Sequence, residues 1–232
     1  MRMSTYVSWK RAAATVFIAG ALMLSGASNA WSAPNENPGV NPPGSKPHGM
    51  SYPEWAVDWA DWFLSIPLAQ NPFADPDGRF CRVGQSGHVF FLANNFGGTT
   101  VRSCNLQPGQ SIFFSPAGTF CILHVDADTE EGLRACVEET LPLFTNLSVE
   151  IDGKSVNALE NYRFVSPLFD FTLPADNLVG LPPGPYQAVI GGYFVMLAPL
   201  SSGQHVIHFH GEIPDFSFVF DVTYMLSIGS HS

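Results

Sequence analysis

The sequence predicts a mainly β protein: an antiparallel β-sandwich or jelly-roll-like fold carrying two short helices. Short aromatic and β-branched runs recur along the chain, separated by proline and glycine turns. Only two stretches combine helical periodicity with a capping signature. The composition is 46% hydrophobic, 13% aromatic and 13% charged over 232 residues, which supports a sizeable core and excludes a disordered chain. No internal run of about 18 apolar residues is present, which excludes a multi-span membrane protein.

In chain order, residues 1–30 read as a secretory signal peptide. Arg2, Lys10 and Arg11 form a positive start, residues 12–24 are apolar and uncharged, and Ser28-Asn29-Ala30 is a small-x-small cleavage site. The apolar run is too short for a comfortable membrane span. Cleavage removes three of the ten basic residues and none of the twenty acidic ones, leaving an acidic chain with a net charge near −13. Such a chain repels nucleic acid and anionic membranes. A secreted or periplasmic location follows. Four cysteines, Cys81, Cys104, Cys121 and Cys136, make an even count in an exported chain and point to two disulfide bonds. Three pairings are open, and local order favours Cys81–Cys104 and Cys121–Cys136. The close Cys-x2–4-Cys spacing of a structural zinc site is absent.

Residues 31–50, rich in proline, glycine and asparagine, read as a flexible linker. A helix then begins: Ser51 and Glu54 have capping-box spacing, Trp55, Trp59 and Trp62 share one face, and Pro67 ends the pattern. Strands are predicted at 88–93, 110–115, 119–125, 147–151, 168–173, 188–197 and 205–210, with Asp152-Gly153 as a hairpin turn. In the last segment Phe216, Phe218, Phe220, Val222, Tyr224 and Leu226 alternate onto one face. Between the strands, Asp128 and Glu131 cap a second helix with an apolar stripe of Leu133, Cys136, Val137 and Leu141. Residues 51–229 form a single sandwich domain in this reading.

The segments GQSGHVFFLA (84–93) and GQHVIHFHG (203–211), with YPEWAVDWADWFLSIP, LRACVEE, NLSVEIDG and DVTYML, carry a further signal. Together they resemble a family of secreted bacterial β-rich proteins of unknown function, over about residues 52–226. The resemblance implies an extracytoplasmic location and the two local cysteine pairs, and no activity. His210 stands where the family usually has a small residue, so a site built on it would be particular to this chain.

Three constellations could carry chemistry. Alternation puts Val206, His208 and His210 on one strand face, with Glu212 continuing the parity. Two parallel imidazoles can share a Zn or Cu ion, with His88 or His124 as third ligand; otherwise they are ordinary surface histidines. His205, on the other face, reads as a hydrogen-bonded core histidine. The run from His124 to Glu131 places oxygen ligands at alternate positions but lacks the glycine and glutamate of a calcium loop, so it also reads as an acidic helix cap. Trp55, Trp59 and Trp62 are either core residues or a sugar-stacking platform. Phe90-Phe91 and Phe113-Phe114 are adjacent pairs, so one ring of each faces outward unless both faces of the sheet are covered. A G-x-S-x-G nucleophile elbow and a phosphate-binding glycine loop are both missing. The leading expectation is therefore an exported binding or surface-interaction module for a protein, a glycan or another extracytoplasmic ligand. The alternative is a metal-binding protein built on His208 and His210.

Overall fold

The computed structural model describes residue 37 and residues 39–229. The signal peptide expected at residues 1–30, and residues 31–36 of the expected linker, lie outside the described residues. The chain runs α1 (Tyr52–Ser65), β1 (Val89–Leu92), β2 (Gly98–Leu106), β3 (Ser111–Ile122), α2 (Glu130–Thr140), β4 (Thr145–Ile151) and β5 (Lys154–Ser155). It continues through β6 (Arg163–Val165), β7 (Phe169–Leu173), β8 (Gly184–Leu197), β9 (Gly203–Ile213) and β10 (Phe218–Ile228). One sheet has the order β1-β3-β8-β6, with β7 also paired to β8; the other has the order β2-β10-β9-β4-β5. The fold is mainly β with two helices, as the sequence predicts. The expected purely antiparallel arrangement needs correction, because β1 pairs with β3 and β2 with β10 in parallel. Parallel neighbours need a crossover connection, and β2, lying in the other sheet, supplies it between β1 and β3.

The helix starts and the strand breaks follow from local chemistry. At α1 the Glu54 carboxylate accepts from Ser51 N at 2.7 Å and from Ser51 Oγ at 2.6 Å. At α2 the cap is Thr129, one residue beyond the expected Asp128, and its Oγ1 accepts from Gly132 N at 3.1 Å. β3 is one long strand where the sequence suggests two. Pro116, which has no N–H to donate, sits where the pairing to β8 slips between Phe114 and Ala117, so the break is a bulge and the strand continues. β10 begins at Phe218, after a turn at Pro214–Phe216 that leaves Phe216 exposed rather than on the inward row.

The first sheet is buried on both faces. Phe113 stacks on Phe194 at 5.7 Å and meets Trp55 of α1 at 6.4 Å. Its neighbour Phe114 stacks on Phe209 of the second sheet at 5.3 Å. Adjacent phenylalanines are therefore both fully buried, because α1 covers one face and the second sheet the other. α2 packs on β3 and β8, where a Cβ on Gly191 would lie 2.3 Å from Val137 Cγ1. The close approach of helix to strand needs the bare backbone at that position. Disulfides join Cys81 to Cys104 and Cys121 to Cys136, the local pairs.

The described part of the expected linker lies along the domain and does not lead away from it. Val40 is buried and bridges Leu197, and Asn41 N donates to Met196 O at 2.8 Å. Tyr52 Oη donates to Asn41 O at 2.6 Å, and Trp55 Nε1 donates to Pro47 O at 3.0 Å. The segment pairs at the end of β8 that β6 leaves open. Its prolines favour the extended backbone that such pairing needs. Among the described residues, no helix is long and apolar enough to cross a membrane.

Candidate functional site

All three tryptophans of α1 are buried, which removes the sugar platform. Each indole N–H donates to a backbone carbonyl: Trp55 to Pro47, Trp59 to Leu92 at 2.9 Å, Trp62 to Val83 at 2.9 Å. Trp59 has a second role. It forms part of the wall of a cavity of about 330 Å³. α1 also contributes Phe63, the turn after it Phe73, the loop after β1 Phe96, and β3 Phe120. Phe144, Phe218 and Phe220 line the side towards the second sheet. Trp59, Phe63 and Phe73 form a tight trio with ring centroids 4.5–5.6 Å apart. No ionisable side chain lines the cavity. Phe96 lines it and is also 60% exposed, so it stands at the mouth. Beside it, Gly97 at φ +105° passes under Phe218, whose Cε2 would lie 2.9 Å from a Cβ there.

Several polar atoms in the wall are already satisfied. Asn95 Nδ2 donates to Gly98 O and Thr100 Oγ1, and its Oδ1 accepts from Gly97 N. Thr140 Oγ1 donates to Cys136 O at 2.8 Å. Behind the wall lies Arg102, 1% exposed. Its guanidinium donates to the carbonyls of Phe73, Asp75, Ala93 and Asn94, and to Tyr224 Oη at 2.8 Å. Tyr224 Oη in turn donates to Ala93 O at 2.9 Å. The buried Asp75 carboxylate accepts from the backbone of Asp77, Gly78 and Phe80, which sets an anion in the same buried region as the cation. Arg102 thus pins together the two loops that present Phe73 and Phe96 to the cavity.

The histidine face has a different character. His208 and His210 do share a face, and Asp221 of β10 lies between them. Asp221 Oδ2 is 3.2 Å from His208 Nε2 and 3.3 Å from His210 Nδ1. His210 Nε2 is 3.1 Å from Glu212 Oε1, and Glu212 Oε2 accepts from Asn146 Nδ2 at 2.9 Å. The proposed third ligands are elsewhere. His88 stacks on His48 at 6.3 Å, and exposed His124 sits 3.3 Å from Asp128. Among the described residues no three His, Cys, Asp or Glu side chains are grouped to hold a metal ion, so the Zn or Cu reading has no support. The run 124–131 likewise forms a turn and a helix start, with Asp126 Oδ2 accepting from Ile122 N at 2.7 Å.

His205, 12% exposed at its side chain, is hydrogen-bonded as expected. Its Nδ1 lies 2.7 Å from Asp152 Oδ2, and its Nε2 lies 3.0 Å from Ser201 O and 3.4 Å from Ser201 Oγ. The order carboxylate, imidazole, hydroxyl resembles a nucleophilic triad. The carbonyl is nearer than the hydroxyl, however, so a proton on Nε2 is directed at the backbone and not at Ser201. This is a clamp between the Asp152 turn and the start of β9. The GQSG motif is also structural: Gln85 Nε2 donates to Cys81 O and Phe91 O, and its Oε1 accepts from Phe91 N.

Neither a family model nor a curated protein matches the chain. Among solved structures, one similar chain comes from the structure of PbICP-C in complex with falcipain-2. It is 11% identical, covers 61% of this chain and 99% of that one, and has a TM-score of 0.24. Another is the solution structure of Amebosin, at 8% identity, covering 61% of this chain and 100% of that one, with a TM-score of 0.18. Scores this low establish no shared fold.

The sequence pointed to histidines and tryptophans, and the cavity is built mostly from phenylalanines. Phe96 left a trace in sequence, as a lone aromatic in an Asn-Asn-Phe-Gly-Gly loop. Arg102 left none, because a lone arginine in a polar stretch reads as a surface residue.

Proposed function

We propose that the protein is an exported binding module whose site is the aromatic cavity, and that its ligand is a small uncharged apolar molecule. The observation that carries this reading is a cavity of about 330 Å³ walled by eight aromatic rings and no ionisable side chain. Preformed apolar clefts of roughly 300 Å³ and above are where small ligands bind. An ionised ligand would lose its hydration with no opposite charge in the wall to replace it. Export is supported by the N-terminal signal pattern and by the two disulfides, which persist in oxidising compartments. The resemblance to secreted bacterial proteins points the same way.

The test is titration of the purified protein with the neutral dye N-phenyl-1-naphthylamine, which fluoresces on leaving water. Uptake should be saturable, one dye per chain, and indifferent to salt, since no ion pair is involved. Val179→Trp, which enlarges a half-buried lining side chain, should weaken uptake at least tenfold. Dye uptake that never saturates, or that Val179→Trp leaves untouched, contradicts the reading.

A further inference from the structure

The polar atoms of the cavity wall that remain free cluster around the bulge of β3. Ser115, 1% exposed, donates its hydroxyl proton to Ala117 O at 3.0 Å and Tyr193 O at 2.9 Å, which leaves its oxygen lone pairs free. Asn94 Nδ2 donates to Pro116 O at 2.9 Å, which fixes that amide beside the bulge with a second N–H uncommitted. Thr119, half-buried, follows two residues after the bulge, and its hydroxyl has no hydrogen-bond partner among the described residues. Both Ser115 and Thr119 line the cavity, as does Asn94. The rest of the wall is aromatic or aliphatic, or has its polar atoms already paired.

Size narrows the class further. A dry apolar cavity of about 150 Å³ holds one benzene ring. The present cavity, at about 330 Å³, is roughly twice that and has space for two fused rings, so the naphthalene of the dye fits inside and its phenyl lies at the open mouth beside Phe96. We infer that the cavity takes a neutral molecule of two-ring size that carries one hydroxyl or carbonyl group, seated with that group against Asn94, Ser115 and Thr119. The inference rests on the cavity being the binding site. A ligand hydroxyl would donate to Ser115 Oγ and accept from Thr119 Oγ1. A carbonyl would accept from Thr119 Oγ1 or Asn94 Nδ2. Either group satisfies protein atoms that a hydrocarbon would strand away from water.

Three probes of one shape separate the terms: naphthalene, 2-naphthol and 2-naphthoate, each competing with N-phenyl-1-naphthylamine for the purified protein. 2-Naphthol should bind roughly 3- to 10-fold more tightly than naphthalene, the worth of one neutral hydrogen bond. 2-Naphthoate should bind on the order of 100-fold more weakly than 2-naphthol, because its charge meets no cation. Thr119→Val keeps the side-chain shape and the bonds of Ser115. It should reduce the 2-naphthol advantage, by weakening 2-naphthol and relieving the stranded hydroxyl that naphthalene meets. Ser115→Ala is the second variant; because it also removes bonds across the bulge, its effect is read only as the ratio of 2-naphthol to naphthalene affinity. If naphthalene binds as tightly as 2-naphthol, or Thr119→Val leaves their ratio intact, the polar seat is refuted and the apolar cavity stands. If none of the three displaces the dye, the cavity reading fails and takes the inference with it.

Discussion

A buried guanidinium with five hydrogen-bond partners holds the two loops that carry Phe73 and Phe96 to the cavity. Four of the partners of Arg102 are backbone carbonyls on two separate loops, and the fifth is Tyr224. Replacing it by methionine keeps the volume and strands these acceptors away from water. Each unsatisfied buried group costs about 1–3 kcal/mol and the effects overlap, so Arg102→Met should lower unfolding free energy by at least about 3 kcal/mol. Arg102→Lys keeps the charge but replaces a rigid fork by a point donor, and should fall between the two. Denaturant midpoints measure the order, and a midpoint for Arg102→Met equal to that of the unaltered protein contradicts it. Dye affinity should fall with stability in both variants, because the carbonyls released belong to the loops that carry Phe73 and Phe96. The burial of Tyr224 pushes its phenol pKa up, so this hydroxyl remains a neutral partner to Arg102 throughout the physiological range.

Among the elements, the β4–β5 turn and the start of β9 are fastened by a pH-dependent clamp. Burial alone would lower the His205 pKa, but the hydrogen bond to Asp152, the Ser201 carbonyl and the Asp152 charge outweigh it, and the net shift is upward. Burial would raise Asp152, but hydrogen bonds from His205 and from Val206 N outweigh that, and the net shift is downward. The His205 contribution is complete below its unfolded pKa of about 6.5 and is lost as pH rises through the higher folded value. The Asp152 contribution is present above about 3.9 and is lost as pH falls through the lower folded value. The clamp is therefore strongest between about pH 4 and pH 6.5. The melting-temperature difference between the unaltered protein and His205→Asn should be largest in that window and should shrink towards alkaline pH; a difference that does not vary with pH refutes the clamp. The elements also show what could be read from sequence. α1, β1, β7, β8 and β9 announce themselves through capping and apolar pattern, and so do the local cysteine pairs. β2 does not: Val101 points out and is 53% exposed, while Arg102 points in, so the alternation is inverted at its centre and only Cys104 and Leu106 keep it. Pro116 hides the continuity of β3, because a bulge is a matter of pairing and leaves no period in the sequence. The cavity draws two rings each from α1 and β10 and one each from β3 and three loops, and that convergence is a property of the fold alone.

In the whole molecule, the two disulfides tie down the elements that surround the cavity. Cys81–Cys104 links the segment before β1 to β2, and Cys121–Cys136 links β3 to α2. The bonds close segments with sequence separations of 23 and 15, each worth about 3 kcal/mol on the chain-entropy model. Together they supply roughly 6 kcal/mol, a large part of the 5–15 kcal/mol by which domains are stable. For a domain near 200 residues each kcal/mol is about 2–4 °C, so full reduction should lower the melting temperature by roughly 12–24 °C. Calorimetry with and without a phosphine reductant checks this, and a melting temperature indifferent to reduction contradicts it. The two bonds should also separate in their effect on the ligand. Thr140 at the end of α2 and Phe144 just beyond it line the cavity, and the anchor of α2 to β3 is Cys121–Cys136. A Cys121→Ala, Cys136→Ala double variant should therefore lose dye affinity at temperatures where it remains folded. A Cys81→Ala, Cys104→Ala variant should lose stability to a similar extent and hold more of its affinity, because its bond lies behind β2 and none of its four flanking residues lines the cavity. Equal losses of affinity in the two variants would mean that the cavity depends on global stability and not on the placement of α2.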